Sequence, residues 1–596
     1  MLRDTYFIST NLEINLDKNK RKILAGNWCI ENYEKKENLK RYEIFDNIWK
    51  DKQKYNTYYK YLHKISLRYS ERLSFYLNSF HKSSFSKKFW KLILMSWLTI
   101  YLPAYYYRWI LVKKVLKRNK KIHFYDLYNL EKKYIPTDTF DFHTQVSSNK
   151  YLNYNMFYNL MKYYEKKSGK IFLVKKKILN SKINKVSDKK NKTNWLIFQY
   201  KKILNHFFYF VFRFNKIFIE KAVFPIKNNV EINLRLNQFP TYPNDTFNDS
   251  FGYTNLYDNK EINLDKRRSH HIKKIKGEND EFVRFIDFVI RDDIPVCFLE
   301  GFEDLLNFAR KIIIKPKIIL SSYYHYFNEL FKVWTAYLVE NKNVKFFIVS
   351  HGGGGYLKYP SCLKFESEIA HKKINWHKST KLNEMQLPAS KFLKSKNIKS
   401  NNDFISYVEG PVAPYPSRIG EQAMDNGSPN LQVDFVSFYK EINKVLKKKF
   451  IFIPSGLYNI DTTKYLRGYL NASQIKEKKS FKKYNERSEL NILNYPQTAF
   501  FESLMTTPTI LLYKKDEWEF DKNFNYFYKK FIKHKIIFHD PKKAAKHVNS
   551  ISNDINKWWG SKSVQLTING FLDHACLVSS HSLNIWIKYL KKNIRN

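Results

Sequence analysis

The sequence predicts an α/β fold with two Rossmann-like domains, each built around a parallel β-sheet. Apolar stretches typical of strands alternate with helical stretches, first from residue 318 onward and again from about residue 404. Strands that alternate with helices in this way form parallel sheets. The chain has 596 residues, of which 43% are hydrophobic, so it is long enough to bury the cores of several domains.

The N-terminal part is expected to combine a first strand-loop unit with a group of helices. Residues 6–10 and 22–25 have the composition of strands, and the second stretch leads into the sequence GNWC. In residues 51–116 the apolar and aromatic side chains recur at helical spacing. This region is therefore expected to be helical.

One stretch, residues 89–112, is apolar enough to raise the question of membrane insertion. Its uncharged part, residues 92–107, is shorter than the roughly 20 apolar residues that a membrane-spanning helix needs. Pro103 and Arg108 also disfavour a span. We therefore expect a buried or interfacial helix, and membrane insertion stays open as the alternative.

Two stretches of weak periodicity give the predicted domain organisation. Residues 130–279 are rich in Lys, Asn and Tyr, notably in KKKILNSKINKVSDKKNK, and we expect an insertion with poorly packed loops. Residues 381–402 are polar and Lys-rich and are the expected linker. The predicted domains are residues 1–385 and 386–596, and a terminal helix near residues 583–590 is expected to cross back to the first domain.

The net charge is strongly positive. The sequence has 105 Lys and Arg residues against 55 Asp and Glu residues, which gives a formal charge of +50. Such a charge attracts phosphates, nucleic acids or anionic lipid headgroups. An A/T-rich coding sequence accounts for the same Lys- and Asn-rich composition equally well, so the charge alone does not identify the partner.

The cysteines and the N-terminus bear on the cellular compartment. The four cysteines lie far apart without a CxxC pair, so neither a zinc site nor a disulfide framework is predicted. The N-terminus lacks the apolar run and the small-residue cleavage site of a secretory signal. We expect a cytoplasmic protein, either free or peripheral at the inner face of the membrane.

The sequence SHGGGGY, which follows an apolar strand at residues 346–349, is the strongest local signal. Glycines after a strand let the backbone approach a ligand closely and present N–H donors to an anion. His351 is the candidate catalytic residue, as a general base or as a hydrogen-bonding group, and Gly352, Gly353 and Gly354 are candidate anion-binding residues. A tight turn with an ordinary histidine is the alternative. The loop matches neither GxxxxGK[ST] nor GxGxxG.

A second candidate lies in the sequence NYPQTAFFE, where a helix is expected to begin near Thr498. Its free N–H groups and the positive end of its dipole would favour phosphates. Thr498 would donate its hydroxyl to a phosphate, and Glu502, one turn later, would accept the ribose hydroxyls of a nucleotide. An N-cap threonine and a solvated glutamate are the alternative. Four further residues are candidates for clamping a diphosphate: Arg418, Ser455, Gly456 and Arg467.

These features resemble the large transferases of bacterial surface-carbohydrate biosynthesis, and the resemblance spans the whole chain. Residues 351–354 match the His-Gly-rich loop of that family, and Thr498 with Glu502 resemble the donor-side loop of the wider GT-B capsule and teichoic-acid transferases. The chain departs from the pattern at Asn27, where an acidic residue is usual, and in residues 369–379, which lack a Gly-Trp ending. The other shared motifs are GNWC, FWKLILMSWLTIYLPAYYYRW, Ile294-Pro295 with Leu299-Glu300-Gly301, Pro508-Thr509-Ile510, and Trp558-Trp559 with Val564-Gln565.

The resemblance implies a metal-independent GT-B glycosyltransferase that needs no bound cofactor. The first domain would hold the acceptor, the second would hold the nucleotide-activated donor, and residues 351–354, Thr498 and Glu502 would line the cleft between them. The acceptor would be a glycan or a lipid-linked glycan, and an anionic membrane surface is a further expected partner.

Two other functions stay open. A basic nucleic-acid-binding protein would explain the charge, but no nucleic-acid-binding motif stands out and no specific nucleic-acid partner is expected. A non-catalytic, membrane-associated assembly factor would use the stretch at residues 89–112 and the aromatic run at residues 207–212.

Overall fold

Three parallel sheets organise the chain in a computed structural model. Each sheet has five strands, and every strand pair within the sheets runs parallel. The structure describes residues 4–17, 19–30, 42–130, 134–178, 210–241, 256–273, 279–359, 364–379, 381–393, 403–411, 413–420, 430–456, 463–478, 480–515 and 517–595.

The predicted α/β class with parallel sheets is confirmed, but the expected number of sheets is corrected from two to three. The N-terminal strands form a sheet of their own. Their pattern is weak because the strands are short and a pair of long helices separates the third strand from the fourth. The position of the boundary between residues 385 and 386 stays a prediction.

The first unit is built on the sheet with strand order β3-β2-β1-β4-β5. The order reverses between β1 and β4: strands β2 and β3 are added on one side of β1, and β4 and β5 are added on the other side. The elements are β1 (Thr5–Ile8), β2 (Arg21–Leu24), β3 (Glu43–Ile44), α1 (Lys52–His81), α2 (Lys87–Arg118), β4 (Ile122–Leu127), α3 (Thr139–Ser148), α4 (Lys150–Ser168) and β5 (Ile171–Lys176).

The second unit is built on the sheet with strand order β10-β9-β8-β7-β6, which follows the chain without a reversal. The elements are β6 (Ile217–Glu220), α5 (Ile226–Arg235), α6 (Leu264–Ser269), α7 (Glu281–Asp293), α8 (Phe302–Lys311), β7 (Ile318–Ser321), α9 (Tyr324–Phe327), α10 (Glu329–Lys342), β8 (Lys345–Val349), α11 (Glu366–Ile369), β9 (Lys372–Asn375) and β10 (Glu384–Gln386).

The third unit is built on the sheet with strand order β12-β11-β13-β14-β15, which reverses between β11 and β13. The elements are β11 (Phe404–Val408), α12 (Asn430–Glu441), α13 (Lys444–Lys448), β12 (Phe450–Ile453), α14 (Phe481–Asn485), β13 (Ser488–Leu493), α15 (Thr498–Leu504), β14 (Thr509–Leu512), α16 (Asn525–Lys533), β15 (Ile537–Phe538), α17 (Pro541–Ile551), α18 (Ile555–Trp559), α19 (Lys562–Cys576) and α20 (Ser582–Arg595).

Helix α2 lies at the centre of the largest apolar core, which the first and second units share. Most of its side chains are buried. The same core contains Phe7 and Phe124 of the first sheet together with Trp334 of α10 and Phe346 of β8. The stretch at residues 89–112 is therefore a buried helix, and within the described residues no helix is both long and apolar enough to cross a membrane.

Arg108 on α2 is a buried cation that joins three parts of the chain. Its Nη1 donates to the backbone oxygens of Ala104, at 2.5 Å, and Pro416, at 3.0 Å. Its Nη2 donates to the side-chain oxygen of Asn153 on α4. Burial lowers the pKa of Arg108 to about 10. Since Pro416 lies in the segment that follows β11, this cation fixes a segment of the third unit against the first.

A buried ion pair fixes the first unit against the second. Lys332 and Glu329, both on α10, have fully buried side chains. The Lys332 ammonium donates to Glu329 Oε1 at 2.8 Å, to Ser96 Oγ of α2 at 3.0 Å and to Thr139 Oγ1 of α3 at 3.0 Å. Because removing one partner would leave an uncompensated buried charge, this cluster specifies how α10 sits on α2 and α3.

Residues 130–279, predicted to be a poorly packed insertion, supply α3, α4, β5, β6 and further helices to the core. The prediction is wrong for the described part of this range. Tyr154 and Phe157 on α4 are buried, whereas Asn155 is partly exposed and Lys162 and Lys166 are exposed, which obscures the apolar pattern. Residues 179–209, which contain most of the Lys-rich stretch, lie outside the described residues, as do residues 242–255.

Helix α20 leaves the third unit and packs on the outer face of the second sheet. Trp586, Ile587 and Leu590 are buried there in one apolar cluster with Ile217 and Ile318. The Trp586 indole donates to the backbone oxygen of Pro388 at 2.8 Å. The terminal helix thus completes the apolar core on this face of the second sheet.

The carboxyl edge of the first sheet is closed by the protein's own carboxylate. Glu13 Oε2 accepts from the backbone N–H of Ser9 at 3.0 Å and of Thr10 at 2.8 Å. The Trp28 indole donates to Ser9 O at 3.0 Å. In an open α/β sheet the crevice where the strand order reverses is the usual ligand site. Here Glu13 already occupies the backbone donors, and burial raises its pKa to about 7.

Trp586→Ala is expected to destabilise the second unit. The substitution removes a fully buried indole and its hydrogen bond, so the expected loss of unfolding free energy is about 3–5 kcal/mol. Thermal melting and limited proteolysis measure the change. Ile585→Ala, which alters a partly exposed side chain of the same helix, is the matched control. Equal melting temperatures for the two variants would contradict the assigned packing of α20.

Glu13→Gln is expected to flatten the pH dependence of stability. A carboxyl whose folded pKa is raised from 4.5 to about 7 favours folding while it is protonated, and this contribution is lost as the pH rises between those values. The loss is on the order of 3 kcal/mol. Melting temperatures between pH 5 and pH 8 measure it. Glu477→Gln, at an exposed position, should keep the wild-type slope; parallel slopes for wild type and Glu13→Gln would refute the prediction.

Candidate functional site

A cavity of about 270 Å³ lies between the second and third units. On one side it is lined by Ser350, His351 and Gly352, which follow strand β8. On the other side it is lined by Gln497 and Thr498, which follow β13 and begin helix α15. Both groups stand at the carboxyl ends of parallel strands, where α/β proteins bind their ligands. The structure therefore brings together the two loops that the sequence patterns single out.

Two glycines of the loop are required by its close contact with α15. The Gly353 N–H donates to Thr498 Oγ1 at 3.3 Å. A Cβ atom added to Gly352 would lie 2.5 Å from the same oxygen, and one added to Gly353 would clash with the ring of Phe501. A side chain at either position would push the second and third units apart. Gly352 lines the cavity, whereas the Gly353 N–H is directed at Thr498.

The remaining loop residues fix the other wall of the cavity. Gly354 has no heavy atom within 4 Å of an added Cβ position, so the backbone is open there and lines the cavity. A Cβ atom on Gly355 would clash with the His377 imidazole. The Tyr356 hydroxyl donates to Pro496 O at 2.7 Å, which joins the end of the loop to the third unit.

His351 lies against two aromatic rings at the cavity wall. Its imidazole makes edge contacts with Tyr326, at 5.5 Å between ring centroids, and with Tyr323, at 6.3 Å. The Tyr326 hydroxyl donates to Glu366 Oε1 at 2.6 Å. Glu366 also lines the cavity and is buried. A carboxylate therefore stands behind the tyrosine that supports the candidate base.

Glu366 is held as an anion by Lys373 and by a hydrogen bond with His325. Burial alone would raise its pKa, but the Lys373 ammonium, 2.9 Å from Oε2, and His325, whose Nε2 is 3.0 Å from Oε1, hold the pKa well below its usual range. Burial and the nearby Lys373 lower the pKa of His377 to about 4, so His377 is neutral at pH 7.

Lysines crowd one side of the cavity. Lys364, Lys373, Lys378 and Lys381 all line it. Partial burial lowers the pKa of Lys364, and repulsion from the neighbouring ammonium groups of Lys381 and Lys373 lowers it further, against the opposing effect of Asp521 and Glu384. A bound anion would relieve that repulsion.

Carboxylates balance part of this charge. The cavity is also lined by Glu384 and Asp521, besides Glu366. The Lys381 ammonium lies 3.3 Å from Glu384 Oε1. Burial opposes ionisation of Glu384, but hydrogen bonds from Ser367 and Ser379 lower its pKa to about 2. Four lysines face three carboxylates, so the wall keeps room for an anionic ligand.

Several residues that the sequence suggests as donor-binding do not line this cavity. The Glu502 carboxylate pairs with the Lys391 ammonium, and Arg418 lies beside His143 on α3. Their part in donor binding stays a prediction. So does that of the residues at or beyond the end of β12, which also do not line the cavity: Ser455, whose N–H donates to Glu409; Gly456, which has a positive φ beside Lys478; and Arg467, which is exposed.

Other cavity residues carry little signal in the sequence. Lys364, Lys373 and Lys378 are three of a very large number of lysines, so no pattern distinguishes them. His377 follows β9 by two residues, and a polar residue after a buried strand next to β8 is the signal that points to it. In the described residues no group of His, Cys, Asp and Glu side chains is arranged to hold a metal ion.

Comparison with known proteins places the chain in a family. The family described as "LIC12162 family transferase" matches residues 5–590, which is nearly the whole chain. No curated protein matches the sequence significantly. The match covers all three sheets and both loops of the cavity. The protein is therefore a member of the LIC12162 family of transferases.

Proposed function

We propose that the protein is a metal-independent glycosyltransferase of the GT-B type. It transfers a sugar or a related group from a nucleotide-activated donor to a glycan or lipid-linked acceptor in surface-polysaccharide biosynthesis. The main support for this proposal is the cavity, which is lined by His351 of the second unit, by Thr498 of the third unit and by a group of lysines. Membership of a transferase family supports group transfer as the reaction.

The donor nucleotide is proposed to bind at the carboxyl edge of the third sheet. Its strand order reverses between β11 and β13, and such reversals form ligand crevices. The Gly410 N–H donates to Asn494 Oδ1 at 2.6 Å at this point. Ser455 and Gly456 follow β12 on the same edge, about 10 Å from β13 by strand spacing. We assign the nucleoside to this side.

The donor phosphates are proposed to face the second unit. There the backbone of Gly352 and Gly354 is accessible, and the hydroxyl of Thr498 is directed at the loop. The lysine cluster supplies positive charge, and the charged form of Lys364 is disfavoured by its burial and by its cationic neighbours. Phosphates in this position would stabilise the cluster and be stabilised by it. No cofactor besides the donor substrate is included in the proposal.

The proposed reaction is a displacement at the anomeric carbon of the donor sugar. An acceptor hydroxyl oxygen forms a bond to this carbon while the bond from the carbon to the phosphate oxygen breaks. His351 takes the hydroxyl proton, and the leaving nucleoside phosphate keeps the electron pair. The lysines stabilise the negative charge that develops on the leaving group, and the nearby Glu366 carboxylate stabilises the protonated His351.

The first test is nucleotide binding. In a panel of UDP, GDP, CDP, CMP and ADP, one nucleotide is expected to raise the melting temperature of the protein. Replacing both Lys364→Ala and Lys378→Ala should weaken its binding about tenfold to a hundredfold, because charge-assisted hydrogen bonds to phosphate are lost. Calorimetric titration measures the affinity.

Lys372→Ala is the matched control for this test. Lys372 is adjacent to Lys373 on β9, but its ammonium donates to Leu382 O at 3.0 Å and it does not line the cavity. Its affinity for the nucleotide should equal that of the wild type. A protein that binds no nucleotide of the panel would favour the non-catalytic assembly factor over the enzyme.

The second test concerns His351. If His351 is the general base, His351→Ala is expected to lower the turnover of the enzyme by roughly 10² to 10⁴, with little change in donor affinity. A role as phosphate anchor would weaken donor binding as well. Steady-state kinetics combined with donor titration separates the two roles. His581→Ala, at an exposed position outside the cavity, should behave as wild type; full activity of His351→Ala would remove His351 from the mechanism.

A further inference from the structure

Large apolar side chains protrude from the second unit at some distance from the cavity. Phe210, Phe214, Leu234 and Phe239 are each between 50 and 60% exposed. Single exposed apolar residues are common on protein surfaces, but a contiguous group marks an interaction site. We call these four residues the aromatic patch.

The backbone holds the parts of the aromatic patch together. The Asn215 side chain donates to Phe239 O at 2.8 Å and accepts from the Phe239 N–H at 3.0 Å, so the chain segments that carry Phe214 and Phe239 lie side by side. Leu234 lies on α5 and joins Phe239 through the turn that ends this helix. The rings of Phe210 and Phe214 contact each other at 6.2 Å between centroids.

Cations lie among and beside these side chains. The Arg213 guanidinium stands 3.9 Å from the Phe210 ring centroid and 4.5 Å from that of Phe214. Arg235, next to Leu234, donates to Asn584 Oδ1 of α20 at 2.8 Å. This contact brings a basic helix beside the patch.

The end of α20 adds four more cations around a shallow depression. Lys588, Lys591, Lys592 and Arg595 line it together with Arg235. Helix α20 contains no acidic residue, and the single acidic residue of α5, Glu231, lies 3.5 Å from the Arg235 guanidinium. The surface therefore carries a concentrated positive charge next to exposed apolar groups.

We propose that this aromatic and basic surface docks the protein on an anionic lipid bilayer. The apolar side chains would enter the boundary between headgroups and acyl chains, and the cations would pair with headgroup phosphates. A single-stranded nucleic acid would also use cations and aromatic rings. Leu234 offers no ring for base stacking, however, and Arg213 already covers the faces of two phenylalanines.

The docking surface and the cavity lie at opposite edges of the second sheet. Phe214 and Lys216 precede β6, and the Lys317 ammonium, just before β7, donates to Ile594 O of α20 at 3.3 Å. These positions mark the amino edge, whereas the glycine loop, residues 351–356, follows β8 and marks the carboxyl edge. Docking therefore stands apart from nucleotide binding, and the failure of one proposal does not decide the other.

Flotation of the full-length protein with lipid vesicles tests the proposal. The protein is expected to float with vesicles of phosphatidylglycerol and phosphatidylcholine and not with phosphatidylcholine alone. Joint replacement of Lys588, Lys591 and Lys592 by Glu, or of Phe210, Phe214 and Phe239 by Ser, should weaken binding about tenfold or more. A control with the same change of charge replaces three exposed lysines of α17 by Glu: Lys542, Lys543 and Lys546.

Two measurements keep the outcome decisive. Melting temperature shows that each variant is folded, and titration with a single-stranded oligonucleotide tests the competing partner. The proposal requires that the control floats like the wild type while both surface variants do not. It is overturned if the wild type stays unbound, if the control loses binding equally, if the folded surface variants still float, or if these variants lose only oligonucleotide binding.

Discussion

The burial of helix α2 and its Arg108 is the constraint on which the arrangement of the three units depends. An apolar helix at the centre of one core that two units share stays buried only if both sheets keep their places around it. The Arg108 guanidinium adds a condition on the third unit, because a buried cation needs its acceptors and Pro416 O is one of them. The cavity between the second and third units depends on this arrangement, and the close contact of the glycine loop with α15 fixes the distance between its two walls.

The fold class could be predicted from the sequence because strands β7, β8 and β11 are mostly apolar and alternate with helices. The number of sheets could not. Strand β3 has only two residues, and β5 has a single buried residue and runs into a Lys-rich stretch. Pairing between segments far apart in the chain, not local composition, makes these segments into strands, and tertiary contact overrides the weak local preference.

The candidate site divides in the same way. The loop at His351 and the turn at Thr498 could be found because glycines and a strand-turn-helix pattern are local features, and the structure brings both to one cavity. Helical spacing predicts that Glu502 shares a face with Thr498, but it carries no information about Lys391, which comes from another segment and pairs with that carboxylate. Lys364 likewise becomes a candidate anion-binding residue only through the fold, which places Lys373 and Lys381 beside it.

The return of α20 to the second sheet bears on how the protein is made. Domains generally fold as they leave the ribosome, N-terminal parts first. The outer face of the second sheet, with Ile217, Ile318 and Phe347, is only partly covered until residues 582–595 have been synthesised. During that interval a nascent chain exposes apolar surface, and such surface makes a folding intermediate prone to aggregation. The time needed to translate the third unit thus determines how long the second unit remains incompletely packed.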